Sequence, residues 1–311
     1  MATKKEKIPV LQMKISIVTA YYNRKKLFEN TLSSISRQLS TTSFNLEVIA
    51  VDDGSDENER LEDLTEKYPF LKVIRLEKED KWYFNSCIPF NIGFKEAKGD
   101  IIILQNPECL HYGNIINFVQ NHLNDNNYLS FACFSLGIES THNLDTLLQH
   151  PEKIQTLMDD NNVGYIGDGL DCWYNHSVTN PKGYHFCSAI TRKNLYDLGG
   201  FDERFARGIA FDDNEFLYRV HLKGLEVKII DSPIVLHQNH YSKISYTTDR
   251  NLLDDETYQK RLKLAERNRV LYELVTRSEK PWRANYFHEN EEHKIKRNFI
   301  EKLKYKIKKR L

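Results

Sequence analysis

No hydrophobic run in the chain approaches the ~20 residues a membrane-spanning helix needs, so an integral helical membrane protein is not expected. The first residues, MATKKEKIPVLQ, lack the apolar core of a secretory signal. Cysteine is sparse. The five (Cys87, Cys109, Cys133, Cys172 and Cys187) never form a C-x-x-C pair, which argues against a disulfide framework or a thiolate metal knot and for reduced thiols in the cytoplasm. Neither sign of charge is in excess: Lys+Arg and Asp+Glu stand at 44 each, so this is not a polycation and no nucleic-acid partner is expected. G-x-x-x-x-G-K-[ST] and G-x-G-x-x-G are both missing, which removes the common glycine-rich phosphate loops. Internal repeats and low-complexity linkers are missing as well.

What is present is an ordinary globular composition, 40% hydrophobic and 28% charged, in 311 residues; that length suits one large α/β domain with an appendage, or two small domains. Ile15 to Thr19, Leu46 to Val51 and Ile101 to Leu104 are short, largely apolar, β-branched runs between turn signals, and Leu71 to Leu76 (LKVIRL) reads as a further strand. Continuous apolar runs of this kind read as strands buried on both faces, as in a parallel sheet. Between them lie helical patterns, with Leu27, Thr31, Ile35 and Leu39 on one face, then Glu59 to Lys67 with Ser55 as its N-cap, then Asn85 to Ala97. This alternation predicts an α/β fold with right-handed crossovers. Further on, helices are expected at Ile115 to His122, Leu144 to Met158, Arg192 to Leu198 and Asp212 to Leu222, and strands at Tyr128 to Leu136, His185 to Ile190, Val227 to Ile230 and Ile234 to Leu236. Between them, the long glycine- and aromatic-rich loop GYIGDGLDCWYNHS reads as functional.

In such sheets ligands gather beyond the carboxyl ends of the strands. Acids recur at those ends: Asp52 and Asp53 after the second strand, Glu108 after the fourth, and Asp212-Asp213 at a helix start. One acid at a strand end is an ordinary turn former. Several on one edge suit a hard cation and a diphosphate.

Four segments in order, SIVTAYYNR, VIAVDDGSD, the N-x-G-x-x-x-A-K-G-D run at Asn91 to Asp100, and LGGFDERFARGIAFDDNEFLYRV, resemble family 2 glycosyltransferases of the GT-A fold, over roughly Lys14 to His240. The resemblance implies a mostly parallel central sheet flanked by helices, with a catalytic domain over 14–245 and a helical, basic extension over 246–311. It implies an inverting, metal-dependent transfer from a nucleotide-diphosphate sugar, UDP-linked, to an acceptor hydroxyl on a glycan or other molecule, with Mn²⁺ or Mg²⁺ as cofactor. Thr19, Ala20 and Tyr22 would cup the base, Asp52 would hydrogen-bond base or ribose, Asp53 would fix that turn, and Asn91, Gln105 and Asn106 would line the nucleotide pocket. Arg24 would neutralise diphosphate charge. Glu108 would ligate the metal with His237 and His240 of VLHQNH. Asp213 would be the general base, with Asp212 orienting the acceptor, and Trp173, Tyr174 and His185 would receive that acceptor.

Two departures stand out. Where the family carries D-x-D this chain has Asn106-Pro107-Glu108, and Ile88-Pro89-Phe90 precedes Asn91 where an arginine is usual. The first keeps open a catalytically silent binding or assembly subunit. A sugar nucleotidyltransferase is a remoter alternative, since it wants a glycine-rich basic loop after the first strand. The tail, Lys294 to Leu311, is dense in Lys and Arg with Ile295, Phe299, Leu303 and Ile307 on one stripe, a pattern suited to peripheral contact with an anionic membrane surface or to a docked terminal helix.

Overall fold

The computed structural model describes residues 13–41, 45–163, 174–240, 255–277 and 283–285. Strands β1 (Ile15–Tyr21), β2 (Leu46–Asp52), β3 (Leu71–Arg75), β4 (Ile101–Gln105), β5 (Cys109–Tyr112), β6 (Asn127–Ser135), β7 (Cys187–Thr191) and β8 (Glu226–His237) form one sheet in the order β3-β2-β1-β4-β7-β6-β8-β5. Helices α1 (Lys25–Thr41), α2 (Leu64–Lys67), α3 (Cys87–Glu96), α4 (Ile115–His122), α5 (Ile138–His142), α6 (Leu144–Leu148), α7 (Pro151–Asn162), α8 (Arg192–Leu198), α9 (Asp212–Leu222) and α10 (Asp255–Arg277) accompany it.

The first four strands in chain order pair in parallel, as the alternating pattern predicts. Beyond β4 the sheet is mixed, because β7 runs antiparallel to both β4 and β6, and β5 antiparallel to β8. Each apolar strand feeds two cores by simple alternation. Ile15, Ile17, Val48, Ala50, Ile101 and Ile103 pack with Phe28, Leu32 and Ile35 of α1 and Ile115 and Val119 of α4. Val18, Ile49, Val51, Ile102 and Leu104 pack on the other side with α3, α8 and α9. Burial on both faces is why these strands read as unbroken hydrophobic runs. Gly93 of α3 sits so close to β1 that a Cβ there would lie 2.4 Å from Val18 Cγ1, so the helix needs glycine to reach the sheet.

Several expectations are corrected. The segment Glu59 to Lys67 is not one helix but a 3₁₀ turn at Glu57–Glu59 followed by the single turn α2. Ser55 caps neither; its amide donates to Asp52 and its hydroxyl accepts from the Asn23 amide. The Leu144 to Met158 helix is split into α6 and α7 by a break before Pro151, which takes the first helical position of α7. Val227 to Ile230 and Ile234 to Leu236 are one strand, carried across a register shift against β6 between Phe131 and Cys133. Strand β5 was not anticipated at all. The expected basic tail, Trp173 and most of the 164–177 loop lie outside the described residues. No described helix is long and apolar enough to cross a membrane.

Candidate active site

The carboxyl ends of β1, β2 and β4 open onto a cleft of about 240 Å³, walled by Ala20, Tyr21, Tyr22, Arg24, Asp53, Ser86, Phe90, Asn106, Pro107, Glu108 and His240. Tyr22 is 39% exposed there, with Lys81 Nζ 5.1 Å from its ring centre. Asn23, next in the chain, takes a left-handed φ of 44°, and Arg24 then turns back so that its Nη1 reaches Glu108 Oε2 at 2.7 Å.

The metal-binding reading depends on β5. Cys109 pairs with His237 across the β5–β8 ladder, which sets Glu108 beside the end of β8. Gln238 secures that junction, its backbone amide and side-chain Nε2 both donating to the Glu108 carbonyl. Glu108 Oε1 then lies 3.1 Å from His237 Nε2 and 3.3 Å from His240 Nε2. One carboxylate oxygen and two imidazole nitrogens thus sit within 4.8 Å of one another. A donor set of two histidines and one carboxylate fits a first-row transition ion with open positions for further oxygens. It fits Mg²⁺ less well, since that ion prefers an all-oxygen shell. Burial alone would push the Glu108 carboxyl up, but the Arg24 charge and the two histidines outweigh it and hold the group well below the usual carboxylate range. Burial lowers His240 in turn, favouring the neutral ring that a metal requires.

The acid pair opens α9. Ala210 and Phe211, just before it, both adopt left-handed backbone (φ 58° and 67°), a conformation that costs a side-chain-bearing residue about 1–3 kcal/mol each and gathers at functional sites. Asp212 is buried, and its Oδ1 accepts a 2.7 Å hydrogen bond from Asn85 Nδ2. Asp213 is pushed up from 3.8 to about 7, first by burial and then by the charge of Asp212 beside it. A carboxyl tuned to that range can take a proton near neutral pH. The pair is fixed in space by a cluster of phenylalanines. Phe201 touches Phe90 of α3 at 5.4 Å and Phe216 of α9 at 5.0 Å, welding the helix of the acids to a wall of the cleft. Full burial of each ring stabilises the arrangement by about 2–3 kcal/mol.

Not every residue singled out in the sequence faces this cleft. Asp52 is fully buried and spends its carboxylate on the Ser55 amide and on Arg75 Nη1 at 3.0 Å, so it is the residue that fixes the turn. Asp53 is the one on the cleft wall, tied to Lys81 Nζ at 2.6 Å and Tyr83 Oη at 2.5 Å. Of the pair, Asp53 and not Asp52 faces the cleft, opposite to the placement expected from the sequence. Asn91 holds the α8–α9 connection instead of a ligand, accepting from the Phe201 amide and donating to the Phe201 carbonyl. Gln105 is buried and bonded to His111 and the Cys109 carbonyl. Thr19 is buried, with a hydroxyl that finds no hydrogen-bond partner among the described residues. Tyr174 belongs to a satellite core with Phe134, its hydroxyl bonded to Asn162 and Thr179, and offers no open ring face. His185 does lie by the acids: its ring packs edge-on against Phe90, and burial lowers its pKa against the pull of Asp212.

Sequence reasoning missed Asn85, Tyr83 and the companion role of Arg75. The signal for the first two was the alternation in Lys81-Trp82-Tyr83-Phe84-Asn85. Lys81, Tyr83 and Asn85 reach Asp53 or Asp212, while Trp82 and Phe84 are exposed by 53% and 55%.

Known proteins resemble the chain in sequence and in fold. Residues 16–196 match the family described as Glycosyl transferase family 2. The chain is 26% identical over 255 residues to a chondroitin synthase of Pasteurella multocida, covering 75% of this chain and 25% of that protein. It is 26% identical over 253 residues to a chondroitin synthase of Escherichia coli, covering 75% of this chain and 36% of that one. The chain thus spans between a quarter and about a third of the length of these relatives. Among solved structures, the mannosyltransferase PcManGT from Pyrobaculum calidifontis, in complex with GDP-Man and Mn²⁺, superposes with a TM-score of 0.50 at 16% identity over 76% of this chain and 60% of that one. That likeness is one of fold, the GT-A arrangement of a mixed sheet between helices.

Proposed function

Because the chain belongs to glycosyl transferase family 2, we propose that it transfers a sugar from a UDP-linked donor to a hydroxyl of a glycan acceptor, with inversion at the anomeric carbon. The observation that supports this most is the meeting, around one sheet edge, of a two-histidine, one-carboxylate triad and a carboxyl tuned to about 7. Glycosyl transfer needs a place for diphosphate charge and a base for the incoming hydroxyl, and it needs them on opposite sides of the sugar.

Glu108, His237 and His240 would hold a divalent ion, Mn²⁺ by the chemistry of the donor set. When bound, the ion would neutralise charge on the departing diphosphate. The Mn²⁺ of the mannosyltransferase complex supports this choice. Tyr22 offers a half-open ring to the base, and Asp53 with Lys81 a polar pair to the ribose. Arg24 stands next to Glu108, where it meets phosphate oxygens. Asp213 takes the proton from the acceptor hydroxyl as that oxygen attacks. Asp212, pinned by Asn85, keeps Asp213 basic through its charge and marks the acceptor side together with His185. The likeness to two chondroitin synthases supports a saccharide as acceptor. The catalytic unit would run over 14–245, with 246–311 as an extension.

A donor set built around Glu108 and two histidines answers the missing D-x-D and favours an enzyme over a silent subunit. The test is a thermal-shift panel of UDP-sugars and GDP-mannose with and without Mn²⁺, followed by product stereochemistry with the donor that binds. A ligand at 100 times its Kd adds about 2.7 kcal/mol to stability. Stabilisation by a UDP-sugar only with Mn²⁺, and a β-glycoside from an α-linked donor, are expected. Retention of configuration would end the single-displacement reading, and stabilisation by GDP-mannose alone would end the UDP reading.

A further inference from the structure

We propose that Asn268, on the last described helix, is a positioning residue for the Asp212–Asp213 pair, acting through the strained turn that precedes it. This rests on the reading of Asp213 as the base. Helix α10 is polar and largely exposed, yet Asn268 in its middle is fully buried. Its side-chain Nδ2 donates to the Ala210 carbonyl at 2.9 Å and to the Phe205 carbonyl at 3.1 Å, and its Oδ1 accepts from Arg267 Nη1 at 2.8 Å. A buried amide that spends both N–H donors on one loop, with its oxygen held by Arg267 of its own helix, is a tether, since leaving such groups unmatched is costly.

The loop it grips is the one that launches the acids. The Ala210 carbonyl belongs to the peptide plane between the two left-handed residues, Ala210 and Phe211, and Asp212 follows directly. Left-handed backbone is disfavoured for residues with a Cβ, so this turn persists only if its surroundings impose it. Those surroundings come mainly from α10. Besides Asn268, the Leu264 carbonyl accepts from the Ile209 amide, Arg267 donates to the Arg204 carbonyl, and Tyr272 lies 5.9 Å from the Phe211 ring. Gly208 completes the fit, because a Cβ there would lie 2.2 Å from Asn268 Oδ1. Asn85 secures the Asp212 carboxylate from the cleft side, and Asn268 secures the backbone from behind. Without the tether the turn relaxes toward ordinary φ, the start of α9 rotates, and Asp213 loses both its aim and its buried setting.

The experiment compares Asn268→Ala, Asn268→Ala/Ala210→Gly and Asp213→Asn with the unmodified protein. Binding of UDP with Mn²⁺ is read by calorimetry, and kcat by UDP release from a UDP-sugar the unmodified protein turns over. Asn268→Ala should leave UDP affinity within about twofold and lower kcat by about 10²-fold, the usual effect of a misplacement near 1 Å. The midpoint of its kcat–pH profile should move toward the ordinary carboxylate range. Glycine adopts left-handed backbone without strain, so the Ala210→Gly double variant should regain about tenfold of the loss. If Asn268→Ala does not fold, Asn268→Ser, which keeps one donor, should show the same pattern more weakly. A folded Asn268 variant with normal kcat, or one losing UDP affinity in step with kcat, overturns the positioning role, as does the absence of recovery in the double variant. A severe loss in Asp213→Asn beside a normal Asn268→Ala defeats this inference alone; near-normal turnover in Asp213→Asn defeats the base assignment and the tether's role with it.

Discussion

A base tuned by burial should leave a mark on stability as well as on rate. The Asp213 carboxyl stands at about 7 in the folded protein against an ordinary 3.8. At about 1.36 kcal/mol per pKa unit the gap has a ceiling of about 4 kcal/mol. Coupling to Asp212 and partial solvent access bring the expected value to about 1–3 kcal/mol. The sign follows from which state holds the proton. Because the folded pKa is raised, the folded chain binds the proton more tightly than the unfolded one. The favourable contribution is complete below pH 3.8 and is lost as pH rises through about 7. At pH 8 the enzyme therefore carries the full cost of a buried carboxylate beside another. Asp213→Asn removes that cost. Urea unfolding should find Asp213→Asn more stable than the unmodified protein by about 1–3 kcal/mol at pH 8, with the advantage shrinking toward pH 5. Turnover should move the other way, with kcat lower by about 10²–10⁴-fold. In the unmodified protein kcat should climb tenfold per pH unit below about 7 and level off above it. A variant with the same stability difference at both pH values shows that Asp213 ionises normally. Near-normal turnover shows that it is not the base. Either result refutes the reasoning.

Three further outcomes are expected. Glu108→Gln keeps the shape and removes the charge that joins Arg24, His237 and His240, so Mn²⁺-dependent UDP binding should fall at least about tenfold by calorimetry, whereas unchanged activity in EDTA would exclude a metal there. Asp53→Asn should weaken UDP binding with little change in stability, while Asp52→Asn should cost about 1–3 kcal/mol in urea by removing the buried half of the Asp52–Arg75 ion pair and leaving Arg75 with Glu62 alone, and the reverse pattern would restore Asp52 to the nucleotide site. Glu47 is held at about 2 despite its burial by Lys72, Ser16 and the Lys98 amide; its folded pKa is depressed, so its contribution is present above 4.5 and lost as pH falls toward 2, and Glu47→Gln should lower stability by about 1–3 kcal/mol at pH 7 with little difference at pH 2.

Much of the first half was legible because local and global requirements coincide there. Strands buried on both faces must be apolar throughout, and parallel strands must be separated by crossovers. Ile15–Tyr21, Leu46–Asp52 and Ile101–Gln105 could therefore be read directly, and the acids at their ends with them. The opening of α9 at Asp212 was legible for a similar reason, since an acid pair before a helical stretch suits the positive end of its dipole.

Which acid faces the cleft was not legible. Asp52 and Asp53 are adjacent and chemically identical, and strand alternation sends one under Arg75 and the other into the cleft. No pattern within the strand records where Arg75 will stand. The same holds for Asn91, Gln105 and Tyr174, polar or aromatic groups whose partners lie in distant elements. The triad was expected through the family resemblance alone, and no local pattern announces it. Glu108 and His237 are far apart in the chain, and β5 is too short to announce itself, yet its pairing with β8 brings their side chains to 3.1 Å. The sequence by itself determined the alternating α/β order, the two-faced core and the acids at the open edge, because those follow from periodicity and solvent. Only the tertiary structure decided which of those groups meet, because a contact between distant elements depends on strand pairing and on the helices packed behind, and a short strand or a single buried asparagine carries no periodic signal of its own.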